Sequence, residues 1–420
     1  MSRSPTLAAL AAGFALVLTL SSCSSAKPMP VPVPTSSPTV APRGDGVLRI
    51  GTVFPTTGAQ SYLGPGQAAG VEVAIREINQ NGGVLGKPVE VFHRDSGDVT
   101  TETIEASLAD LQARGVDVLI GPSSSVLAER LLPKIIAAKI PMISPAATSV
   151  RLSSLDSSGY LFRTIASAAL EGTALGTSIG GGKAKIALVY LDEESGNAIL
   201  GTLRKSLKAS GGQLVTAQKF DSTTKDFAPI IDAVKKAAPD DVVFVSPFSA
   251  MDQNKAIITQ LAAAGFGGAR LWLTSENTAD YSQALPAGAL TAVNGILEGA
   301  EPDEAFKARV KAADPAVTNF LYSAEAYDAT ILAALAATVA RDASGAAIAS
   351  RLRDVSEGGI KCTSYGECLD VLKTQSDIDY DGISGPIGFD NRGDPSPAHF
   401  GLYKYDAANR FTRVSGVTGE

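Results

Sequence analysis

Short β-branched runs alternate repeatedly with amphipathic helical stretches along this chain. Four runs in the first part of the chain predict strands: GVLRIGTVF (46–54), PVEVFHRD (88–95), VDVLIG (116–121) and IPMIS (140–144). The rhythm restarts after Tyr160, with strands predicted at KIALVYL (185–191), QLVTAQKF (213–220), DVVFVSP (241–247) and ARLWLT (269–274). This alternation is typical of α/β proteins, in which helices cover both faces of a parallel sheet. Two successive runs therefore predict two similar lobes.

Polar clusters follow these strands at their carboxyl ends. Those of the first run are PTTGAQSY (55–62), GPSSS (121–125) and SPAATS (144–149), and those of the second are DEES (192–195), SPFS (246–249) and TSEN (274–277). Open α/β sheets bind ligands outside the carboxyl ends of their strands. A single loop of this composition could be only a turn, because Gly, Pro, Ser and Thr form turns. Six such loops in corresponding places favour a binding site to which each lobe contributes hydroxyls and main-chain amides.

Length and composition exclude several classes of protein. A chain of 420 residues is long enough for two or three domains. Its formal charge of −7 and its aromatic content of 6% argue against nucleic-acid binding. Two histidines and three cysteines leave little material for zinc or cysteine chemistry. The glycine-rich turn at 64–70 has G-x-G-x-x-x-G spacing rather than the dinucleotide fingerprint. We therefore predict no cofactor, no metal and no enzymatic activity.

The N-terminal segment predicts export. Arg3 precedes an apolar run from Leu7 to Leu20, which is too short for a comfortable membrane span and suits a secretory signal. The next residues, ending in Cys23, resemble a bacterial lipobox, which implies cleavage of residues 1–22 and lipidation of Cys23. An ordinary signal peptide with a stray cysteine is the alternative. Residues 23–46, rich in Pro, Ser and Thr, predict an extended tether that would place the domain on the outer face of the bacterial cytoplasmic membrane.

The two remaining cysteines, Cys362 and Cys368, predict a disulfide. They are the only cysteines of the exported part, they lie close together in a predicted loop, and export places them in an oxidising compartment. Two free thiols are the alternative.

Several motifs together resemble a known family. MISPAAT (142–148) with GPSSS upstream, AYDA (326–329) and DGISGPIGFDNRGD (381–394) resemble the type I periplasmic binding proteins, in particular the leucine/isoleucine/valine-binding branch that serves ABC importers. The resemblance runs from about Val47 to about Tyr405. It implies a Venus-flytrap of two Rossmann-like lobes with three crossing segments and a cleft that closes on a solute. By similarity, lobe one comprises 47–164 plus 298–382, and lobe two comprises 165–297 plus 383–415.

The resemblance also implies ligand contacts for an amino acid. Ser125 and Thr148 match positions that bind the α-carboxylate through hydroxyl and main-chain N–H groups. The carbonyl of Ala146 and the hydroxyl of Thr148 match acceptors for the α-ammonium, and Glu276 matches an acid of lobe two that pairs with it. Tyr62 falls near an aromatic residue that covers the ligand side chain.

Two positions depart from the family pattern. Ser195 stands where members often carry an aromatic residue, and Phe248 stands where tyrosine is common. Both changes leave the contacts to the zwitterion in place but weaken the assignment to branched-chain ligands. Structural alternatives stay open for the others: Tyr62 as rim packing, Ser125 and Thr148 as loop caps, and Glu276 as a solvated acid.

The sequence therefore predicts a lipid-anchored solute receptor that delivers an amino acid or a small amide-like solute to an ABC permease. The permease and its ATPase would be separate chains, and the membrane would be contacted through the lipid anchor alone. A surface sensor of the same fold, which signals to a membrane partner, is the alternative from another class. An enzyme is a third hypothesis.

Overall fold

A computed structural model describes residues 44–58, 60–179, 183–299 and 301–419. The predicted signal peptide, Cys23 and most of the tether lie outside the described residues. The strands are β1 Arg49–Phe54, β2 Glu90–Asp95, β3 Val118–Ile120, β4 Met142–Ser144, β5 Leu161–Arg163, β6 Lys185–Leu191, β7 Gln213–Phe220, β8 Asp241–Val245, β9 Leu271–Leu273, β10 Asn294–Glu298, β11 Ile360–Cys362, β12 Ile378–Gly382, β13 Gly385–Pro386, β14 Ala398–Tyr405 and β15 Phe411–Gly419. The helices are α1 Gly64–Gln80, α2 Thr103–Ala113, α3 Ser125–Ala138, α4 Ala168–Ile179, α5 Glu194–Ser210, α6 Ala228–Ala237, α7 Met251–Leu261, α8 Glu304–Ala313, α9 Ser323–Ala340, α10 Gly345–Arg351 and α11 Tyr365–Leu372.

The first sheet has five parallel strands in the order β2-β1-β3-β4-β5. Its strands are rich in Val, Ile and Leu because helices bury both faces. One face packs on α1 and α9, in a core that includes Ile50, Ile78 and Leu332. The other face packs on α2 and α3, in a core that includes Leu108 and Leu131. This is the predicted layer arrangement for the first lobe.

The second sheet has seven strands in the order β15-β14-β10-β9-β8-β6-β7. From β7 to β10 all neighbours are parallel, as predicted, whereas β14 and β15 form an antiparallel hairpin at one edge. That hairpin was not predicted. A five-residue turn from Asp406 to Arg410 joins its strands, with Asn409 at a positive φ of 57°. Helices again cover the sheet, and the two lobes have the α/β architecture that the sequence predicts.

The chain passes between the two sheets three times: from β5 to α4, from β10 to α8, and from β13 to β14. Next to the third crossing, Asp328 of α9 accepts hydrogen bonds from the main-chain N–H groups of Ile383 and Ser384. Gly382 lies against this carboxylate so closely that a Cβ there would be 2.3 Å from its carbon. The crossing therefore requires glycine at this position. The residue boundaries of the two lobes stay a prediction.

Helix α9 is buried on almost every side, from Ser323 to Ala337, and it forms the centre of the core beside the first sheet. Within the ranges described above, no single helix is long and apolar enough to cross a membrane. The pair formed by α9 and α10, bent by 100°, passes the same test of length and composition together.

A disulfide joins Cys362 to Cys368, with the two Cα atoms 5.2 Å apart. The segment is not the loop that the sequence predicts, because Cys362 ends β11 and Cys368 lies in α11. Strand β11 pairs with β12 in a small third sheet, β11-β12-β13, beside the first lobe. The covalent link therefore connects a strand to the helix that follows it.

Candidate ligand-binding cleft

A cavity of about 260 Å³ lies at the carboxyl ends of β1, β3 and β4, which are neighbours in the first sheet. Four predicted ligand residues line it together: Tyr62, Ser125, Ala146 and Thr148. Its other lining residues are Gln60, Leu63, Ser123, Ser124, Val126, Leu321 and Tyr322. The cavity wall thus combines hydroxyl and apolar side chains.

Helix α3 begins at this cavity. The Ser124 hydroxyl caps the helix by accepting from the Leu127 N–H at 3.5 Å, a role that the sequence left open for Ser125 instead. Ser125, the first helical residue, accepts from the Ser149 N–H at 3.1 Å, which fixes the hydroxyl between two of the polar loops. The first turn of a helix leaves N–H groups without intrahelical partners, and its dipole favours a negative charge there. This end of the cavity is therefore suited to an anion.

The loop SPAATS that carries Ala146 and Thr148 is held by two internal anchors. Ser144 is one of them: its hydroxyl donates to the Pro122 carbonyl at 2.6 Å and accepts from the Ala147 N–H at 3.0 Å.

The second anchor is Arg163, which is 1% exposed and donates to the carbonyls of Ala147 and Ser149 at 3.0 and 2.9 Å. Its charge is balanced by Asp394, 2.7 Å from Nε. The Thr148 carbonyl accepts from the Ala168 N–H at 2.8 Å, so the loop is also tied to the start of α4. Such anchors keep a binding loop in one conformation before the ligand arrives.

Two tyrosines border the cavity. Tyr62 is 58% exposed, as expected for a side chain at the rim that can cover a ligand. Tyr322 precedes α9 with φ of 61°, an uncommon conformation for a residue with a bulky side chain. Sequence reasoning missed Tyr322, because a tyrosine before an apolar helix carries no signal of its own.

The remaining three predicted residues, Ser195, Phe248 and Glu276, gather at the carboxyl ends of β6, β8 and β9, which are neighbours in the second sheet. Ser195 lies in the first turn of α5 and its hydroxyl bonds the Glu276 carboxylate. The Phe248 N–H donates to the Glu276 carbonyl at 2.8 Å. Phe248 is 42% exposed and packs edge-on against Tyr281, with ring centroids 5.6 Å apart. These contacts bring the three residues of the second sheet together.

Glu276 is half-buried, and its surroundings set its charge. Burial raises the pKa of its carboxyl, repulsion from Glu193 adds to this, and the hydrogen bond from Ser195 opposes it. A partly desolvated carboxylate gains much from an ammonium partner.

The two groups of predicted residues belong to different sheets, and the described cavity is lined by the first group only. Between them lies Glu298 at the end of β10, which is within electrostatic range of both Glu276 and Tyr322. Each group lies at the carboxyl ends of the strands of its own sheet.

Other places in the described ranges offer less. They contain no group of three or more His, Cys, Asp or Glu side chains that could hold a metal ion. A larger surface groove, about 570 Å³, is lined by Arg351 and Asp354, which pair with each other, and by Glu357 and Asp377. None of the predicted ligand residues lines that groove.

Comparison with known proteins gives a family match over most of the chain. A family model described as periplasmic binding protein matches residues 47–395. A protein of Brucella abortus named Leu/Ile/Val-binding protein homolog 8 is 27% identical over 238 residues, which are 53% of this chain and 58% of that protein. The chain therefore covers less than two thirds of that relative.

A second relative has a different name. The chemotactic signal transduction system substrate-binding protein BasB of Halobacterium salinarum is 24% identical over 358 residues, covering 81% of this chain and 83% of that protein.

Solved structures show the same fold. The branched-chain amino acid transporter substrate-binding protein LivJ of Streptococcus pneumoniae, in complex with isoleucine, has a TM-score of 0.61 and 20% identity, and the match covers 89% of this chain and 99% of that one. A solute-binding protein of an ABC transporter from Rhodopseudomonas palustris, in complex with benzoate, has a TM-score of 0.57 and 18% identity, covering 89% and 97%.

Proposed function

The chain belongs to the periplasmic binding protein family, and from that premise we propose that it is a lipid-anchored extracytoplasmic protein that captures an amino acid between its lobes and delivers it to an ABC permease. The observation that carries the proposal is the gathering of Ser125, Ala146 and Thr148 in one cavity, with Glu276 held on the other sheet.

The chemistry of these groups fits a zwitterion. The N-terminus of α3 and the hydroxyls of Ser125 and Thr148 suit the α-carboxylate, because they offer hydrogen-bond donors and a favourable dipole. The Ala146 carbonyl and the Glu276 carboxylate suit the α-ammonium, and a charge-assisted bond is about twice as strong as a neutral one. Together they would hold both charged ends of one small molecule.

The rest of the cavity favours an uncharged side chain on the ligand. Leu63, Val126 and Leu321 contribute apolar surface, and Tyr62 can cover it from the rim. This composition agrees with relatives that are named for leucine, isoleucine and valine. At Ser195 and Phe248 this chain lacks the aromatic residue and the tyrosine hydroxyl that family members often carry there, so a related small solute remains within the proposal.

The proposed role is binding without covalent chemistry. The groups that line the cavity are hydroxyls, main-chain amides and apolar side chains, which bind and orient a solute. The partners would be a permease and its ATPase as separate chains, and Cys23, outside the described residues, would carry the acyl chains that keep the domain at the membrane.

A second candidate function is supported by one relative. BasB is named as a substrate-binding protein of a chemotactic signalling system, and its match spans 81% of this chain. A sensor would use the same binding site but pass the closed conformation to a signalling partner. Growth of a deletion strain on the ligand as nutrient, compared with its migration toward that ligand, separates the two roles.

The experiment that tests the proposal is a ligand screen followed by two substitutions. Thermal shift of the purified protein against amino acids, amides and polyamines should identify a ligand, since one at 100 times its dissociation constant adds about 2.7 kcal/mol of stability. Calorimetry should then show that Glu276→Ala weakens that ligand about ten- to hundredfold, because a charge-assisted bond is lost. Glu276→Gln tests the charge while it preserves shape.

Glu194→Gln is the matched control, because Glu194 is exposed at the start of α5 and makes none of the contacts invoked here. It should leave affinity unchanged. Unchanged affinity in both Glu276 variants would contradict the assignment of an ammonium partner and would favour a neutral or amide-like solute.

A further inference from the structure

Two buried glutamates meet the loop that carries Glu276. Glu171, in the first turn of α4, is 0% exposed, and Glu298, at the end of β10, is 5% exposed. Ser275 contacts both: its N–H donates to Glu171 Oε1 at 2.8 Å, and its hydroxyl oxygen lies 2.9 Å from Glu171 Oε2 and 2.9 Å from Glu298 Oε1. Both glutamates thus contact Ser275, the residue immediately before the proposed ligand acid.

The hydrogen atoms in this arrangement can be counted. The Ser275 hydroxyl has one hydrogen, so it can donate to only one of the two carboxylates. At 2.9 Å the second contact is a hydrogen bond only if that carboxyl is protonated and donates to the Ser275 oxygen. If both carboxylates were ionised, two negative charges would lie close together in a buried site, and their repulsion disfavours that state. The geometry therefore calls for one shared proton.

The electrostatics of the pair agree with the count. Burial, followed by repulsion from Glu298, raises the pKa of Glu171 well above its ordinary value. Burial, together with repulsion from Glu276, raises the pKa of Glu298 to about 7, against the effect of a main-chain hydrogen bond, the Ser275 hydroxyl and Arg163. The charged and titratable groups that interact with the pair are Glu276 after β9, Arg163 in β5 and Tyr322 before α9. Glu325 of α9 and His399 of β14 line a small cavity beside Gly299, the residue after Glu298.

Glu171 and Glu298 also lie next to segments that cross between the two sheets. Glu171 follows the first crossing between the sheets, and Glu298 precedes the second. Ser275 thus links two crossing segments to the loop that carries Glu276. A change at this point would be felt both by the ligand acid and by the segments about which the lobes move.

We propose that Glu171 and Glu298 are positioning residues that share one proton through Ser275 and in this way hold Glu276 in place for the ligand. The inference rests on the proposed function, in which Glu276 binds the ligand ammonium. Loss of the shared proton at higher pH removes one of the two hydroxyl contacts, and the loop that carries Glu276 is released.

The first test is the pH profile of ligand affinity. In the wild type, affinity for the amino acid found in the screen should fall about tenfold between pH 6 and pH 8.5, the loss expected for one hydrogen bond to a charged group. Glu298→Gln should flatten this profile, because its amide donates to the Ser275 oxygen at every pH. Glu304→Gln is the control: its carboxylate is 91% exposed, and the wild-type profile should persist.

The second test needs no ligand. A proton held by the folded state and released by the unfolded chain makes stability fall as pH rises toward the folded pKa, and one proton changes the unfolding constant up to tenfold per pH unit. Between pH 5 and 7 the free energy of unfolding should fall with pH more steeply in the wild type than in Glu298→Gln. The difference in slope should be that of about one bound proton. The amides of residues 274–277 should lose protection from hydrogen exchange above pH 7 in the wild type only. If Glu298→Gln does not fold, Glu171→Gln, which also leaves a single carboxyl beside the Ser275 hydroxyl, should show the same smaller slope.

The outcomes separate this inference from the proposed function. Identical unfolding slopes and identical exchange in the wild type and Glu298→Gln would overturn the shared proton. If the slope and the exchange behave as expected but no amino acid binds at any pH, the proposed function fails and the buried network stands. If amino acids bind with the same pH profile in both proteins, the positioning role is wrong even though the function holds.

Discussion

Asp328 shows how one side chain can fix a crossing segment. It is fully buried and accepts from the Tyr380 hydroxyl at 2.7 Å, from the Ile383 N–H at 3.0 Å and from both the N–H and the hydroxyl of Ser384. Burial raises its pKa to about 6, against the effect of these donors. The two oxygens of an ionised carboxylate can accept all four of these hydrogen bonds.

Asp328→Ala should therefore lower the free energy of unfolding by about 3 kcal/mol or more, because several buried donors lose their acceptor. Asp328→Asn, which retains one acceptor oxygen, should fall between the two proteins. Urea denaturation measures the difference. Asp370→Ala, at a carboxylate that is 73% exposed, is the control and should change stability by less than about 0.5 kcal/mol. An equally small effect of Asp328→Ala would show that the crossing does not depend on this carboxylate.

At the same scale, sequence reasoning reached the residues that follow strands and missed those that support them. Ser125 and Thr148 stand in loops with a recognisable composition, and the structure places both in the cavity. Glu171 lies within an apolar helix and Glu298 ends an unpredicted strand, so neither has a local pattern that reveals its contact with Ser275. Ser275 lies 104 positions from Glu171 and 23 from Glu298, and contacts at such separations depend on how the elements are arranged in space, which a single sequence does not reveal.

Among the elements, two long strands of the second sheet were predicted well. The bounds of β6 and β7 coincide with the predicted runs 185–191 and 213–220. The three-residue strand β5 was missed, whereas β3, β4 and β9, which are equally short, were predicted because each stands in a longer apolar run. The hairpin of β14 and β15 was missed because the predicted alternation of strands and helices stops before it.

The link between β11 and α11 gives a prediction for these two elements. Replacing both cysteines in Cys362→Ser/Cys368→Ser should cost about 2 kcal/mol of unfolding free energy, since the bond closes a short loop with a sequence separation of 6. Thiol labelling checks the bond directly. Both residues are buried, so the labelling is done in denaturant without reductant, where neither thiol should react until reductant is added. Labelling of both before reduction would contradict the disulfide.

For the whole molecule, the predicted lipid anchor at Cys23 determines where the binding domain works. Cys23→Ala should release the protein from the membrane fraction, because the variant has no thiol at this position to carry lipid. Stable anchoring needs more than one acyl chain, since a single chain binds only marginally. Cell fractionation and blotting measure this. Ser25→Ala, two residues further on, should leave the protein in the membrane fraction. A Cys23→Ala protein that stays with the membrane would show that another part of the chain anchors it.

The three crossings also delay the folding of the first lobe during synthesis. The core on one face of the first sheet contains Leu48 near its start and Phe389 near its end, with α9 between them. When the ribosome has made only β1 to β5, α1 is the only helix available to cover the face of the sheet on which α9 later packs. That face stays open to solvent until the last third of the chain emerges, so folding to completion has to wait for it. A chain that must cross a membrane before it folds gains from such a delay.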